Sequence, residues 1–166
     1  MAQDMFLKLT DIEAESKDKV YGKNIDVLAW SWGCSQSATM HMGGGGGGGK
    51  VSMQDVSCTK FIDKATPILF KHCCTGVHIP KGELIVRKAG GKQMDYFKIN
   101  MEEIIISSYS TGGSGGEDRL TENFTMNFSK VSIKYVEQTQ TGAEGDKPDY
   151  AYDMSENIET SAFEMG

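Results

Sequence analysis

Apolar and polar residues alternate along much of the chain, which is the pattern of β-strands with one buried face. This alternation predicts strands over residues 5–9, 24–37, 51–59, 83–88, 94–100, 103–110 and 120–136. A single helix is predicted between Thr66 and Gly76, with Thr66 as its N-cap, Pro67 in its first turn and Gly76 beyond its end. The pattern therefore predicts a mainly β protein.

The last predicted strand changes phase along its length. Its apolar residues lie on one face up to Phe128 and on the opposite face from Val131 onward. Because a straight strand cannot bury both sets, we expect a bulge near Ser129 and Lys130, or a passage of the strand between two sheets. Such turning strands are typical of barrels, so the predicted fold is a closed or nearly closed β-barrel of two sheets with one short helix.

The predicted strand over residues 24–37 has two unlike faces. Trp30 and Trp32 share a bulky face, which predicts a place in the core or in a contact between subunits. Ser31 and Ser35 share the opposite face, where the side chains are small. That face fits either close packing against a neighbour or a polar, water-lined wall.

The 166 residues are enough for one domain with a substantial core, and their net charge is −6. Residues 1–136 hold 16 basic and 15 acidic side chains, whereas residues 137–166 hold one basic and eight acidic side chains. We therefore predict a β-barrel domain over residues 1–136 and an acidic, partly flexible C-terminal segment over residues 137–166. The segment serves either as a solubilising tail or as an electrostatic docking peptide, and no basic stripe for nucleic acid is present.

The sequence does not favour membrane insertion, a secretory signal or a metal site. No apolar run approaches the roughly 20 residues that span a membrane, and the first ten residues lack a basic region before an apolar core. The soft ligand types between His72 and His78 fit no standard zinc spacing. Without paired spacings, the cysteines are expected to be reduced and mostly buried: Cys34, Cys58, Cys73 and Cys74.

Seven consecutive glycines, Gly43 to Gly49, lie between two predicted strands. Ordering such a run costs on the order of 10 kcal/mol, so we expect it to be ordered by assembly or to serve as a slack connector. Gly44, Gly49 and Lys50 match the phosphate-binding G-x-x-x-x-G-K motif. However, Val51 stands where the motif needs Ser or Thr, and a strand rather than a helix is predicted to follow. No nucleotide site is predicted.

A second apparent motif lies in the glycine-rich loop before the last predicted strand. Gly112, Ser114 and Gly116 match the G-x-S-x-G pattern of serine hydrolases, but a nucleophile elbow needs a helix after it and here a strand follows. The adjacent acids Glu102 and Glu103 would point to opposite faces of a strand, which makes them a poor acid/base pair. The sequence therefore predicts no catalytic residue and no cofactor.

Several long and unusual blocks occur in one order along the chain: DMFLKLTDIEAESKDK, IDVLAWSWG followed by SQS and MHMGGGG, KFIDKATP, VRKAGG, and SSYSTGGSGGEDRLTEN. With these blocks the chain closely resembles the haemolysin-coregulated protein (Hcp) family of the bacterial type VI secretion system. The resemblance covers residues 1–136 and weakens beyond Val136.

The resemblance implies a structural subunit of the type VI secretion inner tube. Proteins of this family form homohexameric rings that stack into a tube, which a VgrG-type spike caps and a contractile sheath surrounds and expels. The rings also bind effector proteins in the lumen and protect them, as a chaperone would. The resemblance further implies a subunit that is cytoplasmic before firing and is then secreted without a signal peptide, with no nucleic acid, cofactor or membrane insertion.

The resemblance also assigns roles to residues already singled out. The extended glycine-rich loop over residues 40–50 becomes a ring-stacking loop, made of Met42, Gly43, Gly44, Gly45, Gly46, Gly47, Gly48, Gly49 and Lys50. Ser31 and Ser35 become candidates for the lumen face that meets cargo, with packing against a subunit neighbour as the alternative. The alternative function is a regulatory or adaptor module of the secretion apparatus that acts through its acidic tail.

Overall fold

The structure is a computed structural model that describes residues 3–41, 49–88 and 93–165. The described residues form one helix, α1 (Thr66–Thr75), and twelve strands. The strands are β1 (Gln3–Leu9), β2 (Ile25–Asp26), β3 (Ala29–Ser31), β4 (Cys34–Gln36), β5 (Val51–Met53), β6 (Val56–Phe61), β7 (Ile79–Lys88), β8 (Met94–Gly112), β9 (Thr121–Asn127), β10 (Lys130–Tyr135), β11 (Asp149–Asp153) and β12 (Ile158–Thr160).

The strands form a larger sheet and a smaller sheet that meet at β8. The larger sheet has the order β12-β11-β10-β8-β7-β1-β2, and the smaller sheet runs from β8 through β9 and β6 to β3. A separate two-stranded ladder consists of β4 and β5. All of these pairings are antiparallel, including those between strands that are distant in sequence, such as β1 with β7 and β6 with β9.

The long strand β8 belongs to both sheets. It pairs with β7 as far as Ile104 and with β9 from Ile105 onward. At this changeover Glu103 has a φ of 55°, a left-handed conformation that few residues other than glycine adopt. The stretches 94–100 and 103–110, predicted as two strands, are therefore one strand that turns from one sheet into the other.

The chain turns at the same place between β9 and β10. Strand β9 pairs with β6 and β8 in the smaller sheet, whereas β10 pairs with β8 and β11 in the larger one. Between them, the Ser129 N–H donates to the Glu102 carbonyl at 3.1 Å. The predicted change of phase near Ser129 and Lys130 is confirmed as a passage between sheets, and it leaves both Phe128 and Val131 buried.

The hydrophobic core lies between the two sheets and beneath α1. It combines the inward faces of strands from both sheets with one side of the helix, where Leu69 is fully buried. Side chains at the centre of this core have relative exposures near zero, among them Leu7, Leu84, Ile99, Met101, Phe124 and Met126. Burial of these side chains provides the main driving force for the fold.

The helix lies where the sequence predicts it, with a proline in its first turn and Gly76 in the left-handed conformation after its last residue. The prediction that Thr66 is the N-cap is wrong, because Ala65 occupies that position. The Thr66 hydroxyl instead accepts the Asp63 N–H at 3.0 Å and donates to Glu122 at 2.8 Å. The hydroxyl therefore connects the helix to strand β9.

The prediction of a mainly β fold with one helix is confirmed, but the prediction of a closed or nearly closed barrel is wrong. In the part of the chain that the structure describes, the two sheets stay open, with β2 and β12 at the ends of the larger one. The predicted long strand over residues 24–37 is broken into β2, β3 and β4. The Val27 N–H donates to the Met5 carbonyl and the next N–H, of Leu28, donates to the Thr59 carbonyl, so the chain passes from the larger sheet to the smaller one at this point.

The acidic C-terminal segment contributes β11 and β12 to the larger sheet. Beyond β12, the Phe163 N–H donates to Ser132 Oγ at 3.1 Å and the Met165 N–H donates to Asn100 Oδ1 at 2.9 Å. The last described residues thus cross β10 and β8, and they cover polar side chains of the sheet that are almost fully buried.

Candidate functional surfaces

The β4–β5 ladder holds the two ends of the glycine-rich loop. Its register places Ser35 opposite Ser52, and the Lys50 N–H donates to Ser37 Oγ at 3.0 Å. Residues 42–48, which carry most of the ring-stacking prediction, lie outside the described residues. The loop therefore starts and ends on a ladder that is separate from both sheets, and its role in stacking stays a prediction.

The four residues singled out around this ladder do not lie on one continuous strand. Ser31 and Ser35 are both exposed, but Ser31 lies in β3 beside β6 and Ser35 lies in the ladder. The Trp30 ring stacks on Phe97 with centroids 5.9 Å apart, and Trp32 lies against the core as well. The lumen role of the serines and the subunit contact of the tryptophans stay predictions.

An apolar groove lies between the ladder and the larger sheet. It has a volume of about 670 Å³, and Trp32 lines it together with Val51, Met53, Val131, Ile133, Tyr150 and Tyr152. The indole Nε1 of Trp32 is buried and has no hydrogen-bond partner among the described residues. A concave, mostly apolar surface with few polar groups has the character of a binding surface.

A buried cluster of charges, which the sequence analysis did not predict, ties α1 to the smaller sheet. Lys60 of β6 and Glu122 of β9 lie opposite each other, form an ion pair and are fully buried. Lys60 Nζ also donates to Asp63 Oδ1 at 2.8 Å. Glu122 accepts hydrogen bonds from Thr66 Oγ1 at 2.8 Å and from the Tyr109 hydroxyl at 2.5 Å. Burial and the neighbouring carboxylate raise the pKa of Tyr109 to about 12.

The sequence contains a signal for this cluster. Lys60 follows Val56 and Cys58 at the even spacing of core-facing positions, and Glu122 precedes Phe124 in the same way. Opposite charges at core-facing positions of two strands indicate a buried ion pair, because a buried charge requires a partner. Alternation alone therefore could have identified both residues.

A second buried cluster surrounds Arg87 of β7, whose side chain is 4% exposed. Its guanidinium donates to Asp18 at 2.6 Å and to Asp4 at 3.1 Å, and it lies 5.0 Å from the centre of the Phe6 ring. The hydrogen bond with Arg87 lowers the pKa of Asp18 well below its usual range. The same hydrogen bond raises the pKa of Arg87. The cluster fastens the loop after β1 onto the larger sheet.

The residues with potential chemistry are dispersed. No group of three or more His, Cys, Asp or Glu side chains suited to a metal occurs in the described ranges. His72 Nδ1 lies 2.8 Å from the Ile68 carbonyl of its own helix. Ser114 lies in the loop between β8 and β9, so a strand follows it, and a strand also follows Lys50. Among the described helical residues, no segment has the length and apolar character needed to cross a membrane.

Comparison with known proteins places this fold among proteins of one secretion system. The family model described as "Type VI secretion system effector, Hcp" matches residues 6–135. The chain is 54% identical over 161 residues to Protein hcp1 of Pseudomonas aeruginosa strain PAO1, a match that covers 96% of this chain and 99% of that protein.

Solved structures agree with this match. Hcp1 from Salmonella typhimurium is 37% identical with a TM-score of 0.81, and the match covers 96% of this chain and 100% of that one. A second structure, described as a type six secretion system protein, is 30% identical with a TM-score of 0.90 at the same coverage.

Fold and comparisons together define a secreted, β-sheet protein of bacterial type VI secretion. The chain belongs to the Hcp family, whose members are structural tube proteins and not enzymes. The resemblance found in the sequence blocks is therefore confirmed. Membership in this family implies self-assembly and partners within the secretion machinery.

Proposed function

We propose that this chain is the subunit of the inner tube of a type VI secretion system. Copies assemble into homohexameric rings, the rings stack into a tube beneath a VgrG-type spike, and contraction of the sheath expels the tube. The observation that carries the proposal is the 54% identity to Protein hcp1 along 99% of that protein.

Two features of the fold support self-assembly. The larger sheet ends in β2 and β12, and the backbone groups at the edge of a sheet can pair with another chain. The groove beside Trp32 provides an apolar surface of different character. A ring closes through heterologous contacts, which need two different surfaces on every copy. The sheet edges and the groove offer such surfaces.

The lumen of the ring binds and protects effector proteins before delivery. A wall that accepts varied cargo must be polar and shallow, and the exposed Ser31 and Ser35 fit that requirement. The subunit is made in the bacterial cytoplasm and leaves the cell within the expelled tube.

The first experiment is the measurement of the mass of the purified protein by light scattering after size exclusion, with negative-stain images of the same peak. We expect a species near six times 18.2 kDa that consists of ring-shaped particles. A monomer at micromolar concentration would contradict self-assembly and would favour an adaptor that acts through the acidic segment.

A further inference from the structure

Residues 161–165 form a strap that follows β12 and crosses the larger sheet. The Phe163 N–H donates to Ser132 Oγ on β10 at 3.1 Å. The Met165 N–H donates to Asn100 Oδ1 on β8 at 2.9 Å. Both acceptor side chains are almost fully buried. Alternate residues of the strap therefore supply backbone donors to buried polar side chains, which need partners in the folded protein.

A third polar contact holds the strap between these two hydrogen bonds. Lys134 Nζ on β10 donates to Glu164 Oε1 at 2.9 Å, and both side chains are partly exposed. Ser132, Lys134 and Asn100 together form a polar seat for the strap. This seat fits an extended chain that has N–H donors at alternate residues and a carboxylate between them.

The strap buries little apolar surface. Phe163 and Met165 are half-buried, and its other residues are exposed. A cavity of about 170 Å³ also lies between the strap and strands β10 and β11. Release of the strap would uncover polar side chains that water can solvate, and it would break an ion pair that contributes little free energy. The strap can therefore leave the polar seat while both sheets stay folded.

The strap begins at an end of the larger sheet. Strand β12 is the last strand in the described order of that sheet, and backbone groups at a sheet edge can pair with another chain. A change of backbone direction at Thr160 and Ser161 would carry the strap outward, onto a copy that meets this edge, instead of inward onto its own sheet. The extended strap spans about 17 Å, so the polar seat of that copy must lie within this distance of Ser161.

We propose that the strap exchanges between neighbouring copies, so that residues 161–165 of one copy occupy the polar seat of the next. Each copy has the same seat, so exchange of an identical element keeps the two hydrogen bonds and the ion pair and joins the copies at low cost. Assembly also places the seat of a neighbour at a high effective concentration. The inference rests on the self-assembly in the proposed function and adds a specific contact to it.

Cross-linking of mixed assemblies tests the exchange. A carbodiimide condenses a lysine amine with a carboxylate in contact and takes up the water that is released, so it joins Lys134 to Glu164. Unlabelled and heavy-isotope-labelled chains are unfolded together in urea, refolded and purified as one assembly. Native mass spectrometry then confirms that both kinds of chain are present. Cleavage on the N-terminal side of aspartates separates Lys134 from Glu164 before the cross-linked peptides are analysed.

The share of cross-links that join an unlabelled to a labelled chain measures the exchange. With complete exchange in an equimolar mixture, this share should be about one half for Lys134 and Glu164, because neighbours are chosen at random. The matched control is the pair Lys64 and Glu13, whose Nζ and Oε2 lie 3.9 Å apart with both side chains exposed. This pair should give only cross-links within one chain. A mixed share for Lys134 and Glu164 no greater than that of the control would overturn the proposal.

The variant Glu164→Gln shows whether the mixed cross-link comes from the strap. It removes the carboxylate, so the mixed cross-links of Lys134 should disappear. If they persist, another carboxylate of the neighbour contacts Lys134 and the exchange is refuted. Assemblies that contain both kinds of chain but only unmixed cross-links would overturn the exchange and leave the proposed function intact, whereas a monomeric protein would overturn both.

Discussion

Two buried ion pairs, Lys60 with Glu122 and Arg87 with Asp18, connect segments of the chain that are distant in sequence. Glu122 also accepts hydrogen bonds from two hydroxyls, and the Arg87 guanidinium also donates to Asp4 and lies near the Phe6 ring. Loss of one partner is therefore more damaging than loss of both, because it leaves a buried charge without a counter-ion. At the scale of single residues, these pairs have the clearest expected effect on stability.

Replacement of Lys60 by methionine is expected to lower the free energy of unfolding by about 3–5 kcal/mol, because Glu122 stays buried without its counter-charge. The double variant Lys60→Met, Glu122→Gln should recover part of this loss. Urea unfolding of all three proteins at one protein concentration measures the effect. If the free energy of unfolding of Lys60→Met lies within about 0.5 kcal/mol of that of the native protein, the ion pair does not stabilise the fold.

The ion pair between Asp18 and Arg87 predicts a loss of stability in acid. Because the pKa of Asp18 is lowered in the folded state, its contribution is complete above the usual aspartate pKa and is lost as the pH falls toward the folded value. The Asp18 side chain is 19% exposed, so after a discount for solvent screening we expect a contribution of about 1 kcal/mol.

The variant Asp18→Asn isolates this contribution from that of the other carboxylates. Its free energy of unfolding should be lower than that of the native protein at pH 6, and the difference should shrink as the pH falls below about 4. Urea midpoints measured at intervals from pH 6 to pH 2 provide the comparison. A difference that does not vary with pH would contradict the assignment.

These residues also show what sequence reasoning can find. Lys60 and Glu122 occupy core-facing positions in alternating strands, so their role could be predicted. Arg87 has no such signal, because residues 82–87 of β7 are all buried and no alternation separates its two faces. Both faces are covered because the loop after β1 folds over the outer one, and such a long-range contact is not encoded in local pattern.

Alternation is a good predictor of strands and a poor predictor of their ends. The stretch over residues 24–37 has an uninterrupted pattern, yet the backbone changes its hydrogen-bond partner from β1 to β6 between Val27 and Leu28. The helix was predicted almost in full, because proline and glycine mark its two ends through local backbone geometry. No proline or glycine marks the change of partner between Val27 and Leu28.

At the scale of elements, the proposed stacking role of the glycine-rich loop on the β4–β5 ladder predicts that ring formation and tube formation can be separated. Deletion of Gly44, Gly45 and Gly46 should leave rings intact and should weaken tube formation about tenfold or more, because weak contacts repeated around a ring act together. Size exclusion chromatography measures the fraction of protein in rings, and electron microscopy measures the number and length of the tubes. Deletion of Gly115 and Gly116, from the β8–β9 loop, is the matched control. Tubes of normal length after the first deletion would refute the stacking role.

At the scale of the whole molecule, the fold class could be predicted from the sequence, but whether the sheets close into a barrel could not. The mainly β composition follows from local periodicity, whereas an open or closed arrangement depends on which distant strands pair. Local pattern gives no information on how copies of the chain meet. The proposed hexameric ring and its lumen therefore rest on the family and not on strand periodicity.

The proposal that Ser31 faces the lumen predicts the outcome of one substitution. Ser31→Gln should leave the mass of the ring unchanged. It should reduce the amount of co-purified effector about tenfold, because the larger glutamine side chain occupies space at the surface that contacts the effector. Quantification of effector bound to purified rings measures this. Ser110→Gln, at an exposed site of β8, is the matched control. Loss of rings in the Ser31 variant would instead place this residue in a contact between subunits.

Strand β8 also determines how the protein transmits mechanical force. Its 19 residues pass through both sheets, so a load on one sheet reaches the other along covalent bonds and not only through side-chain packing. In a two-layer protein without such a strand, the layers can shear past each other when their packed faces slip. Here slippage would require the hydrogen bonds of β7, β9 and β10 to break together. We therefore expect the two sheets to move together under load.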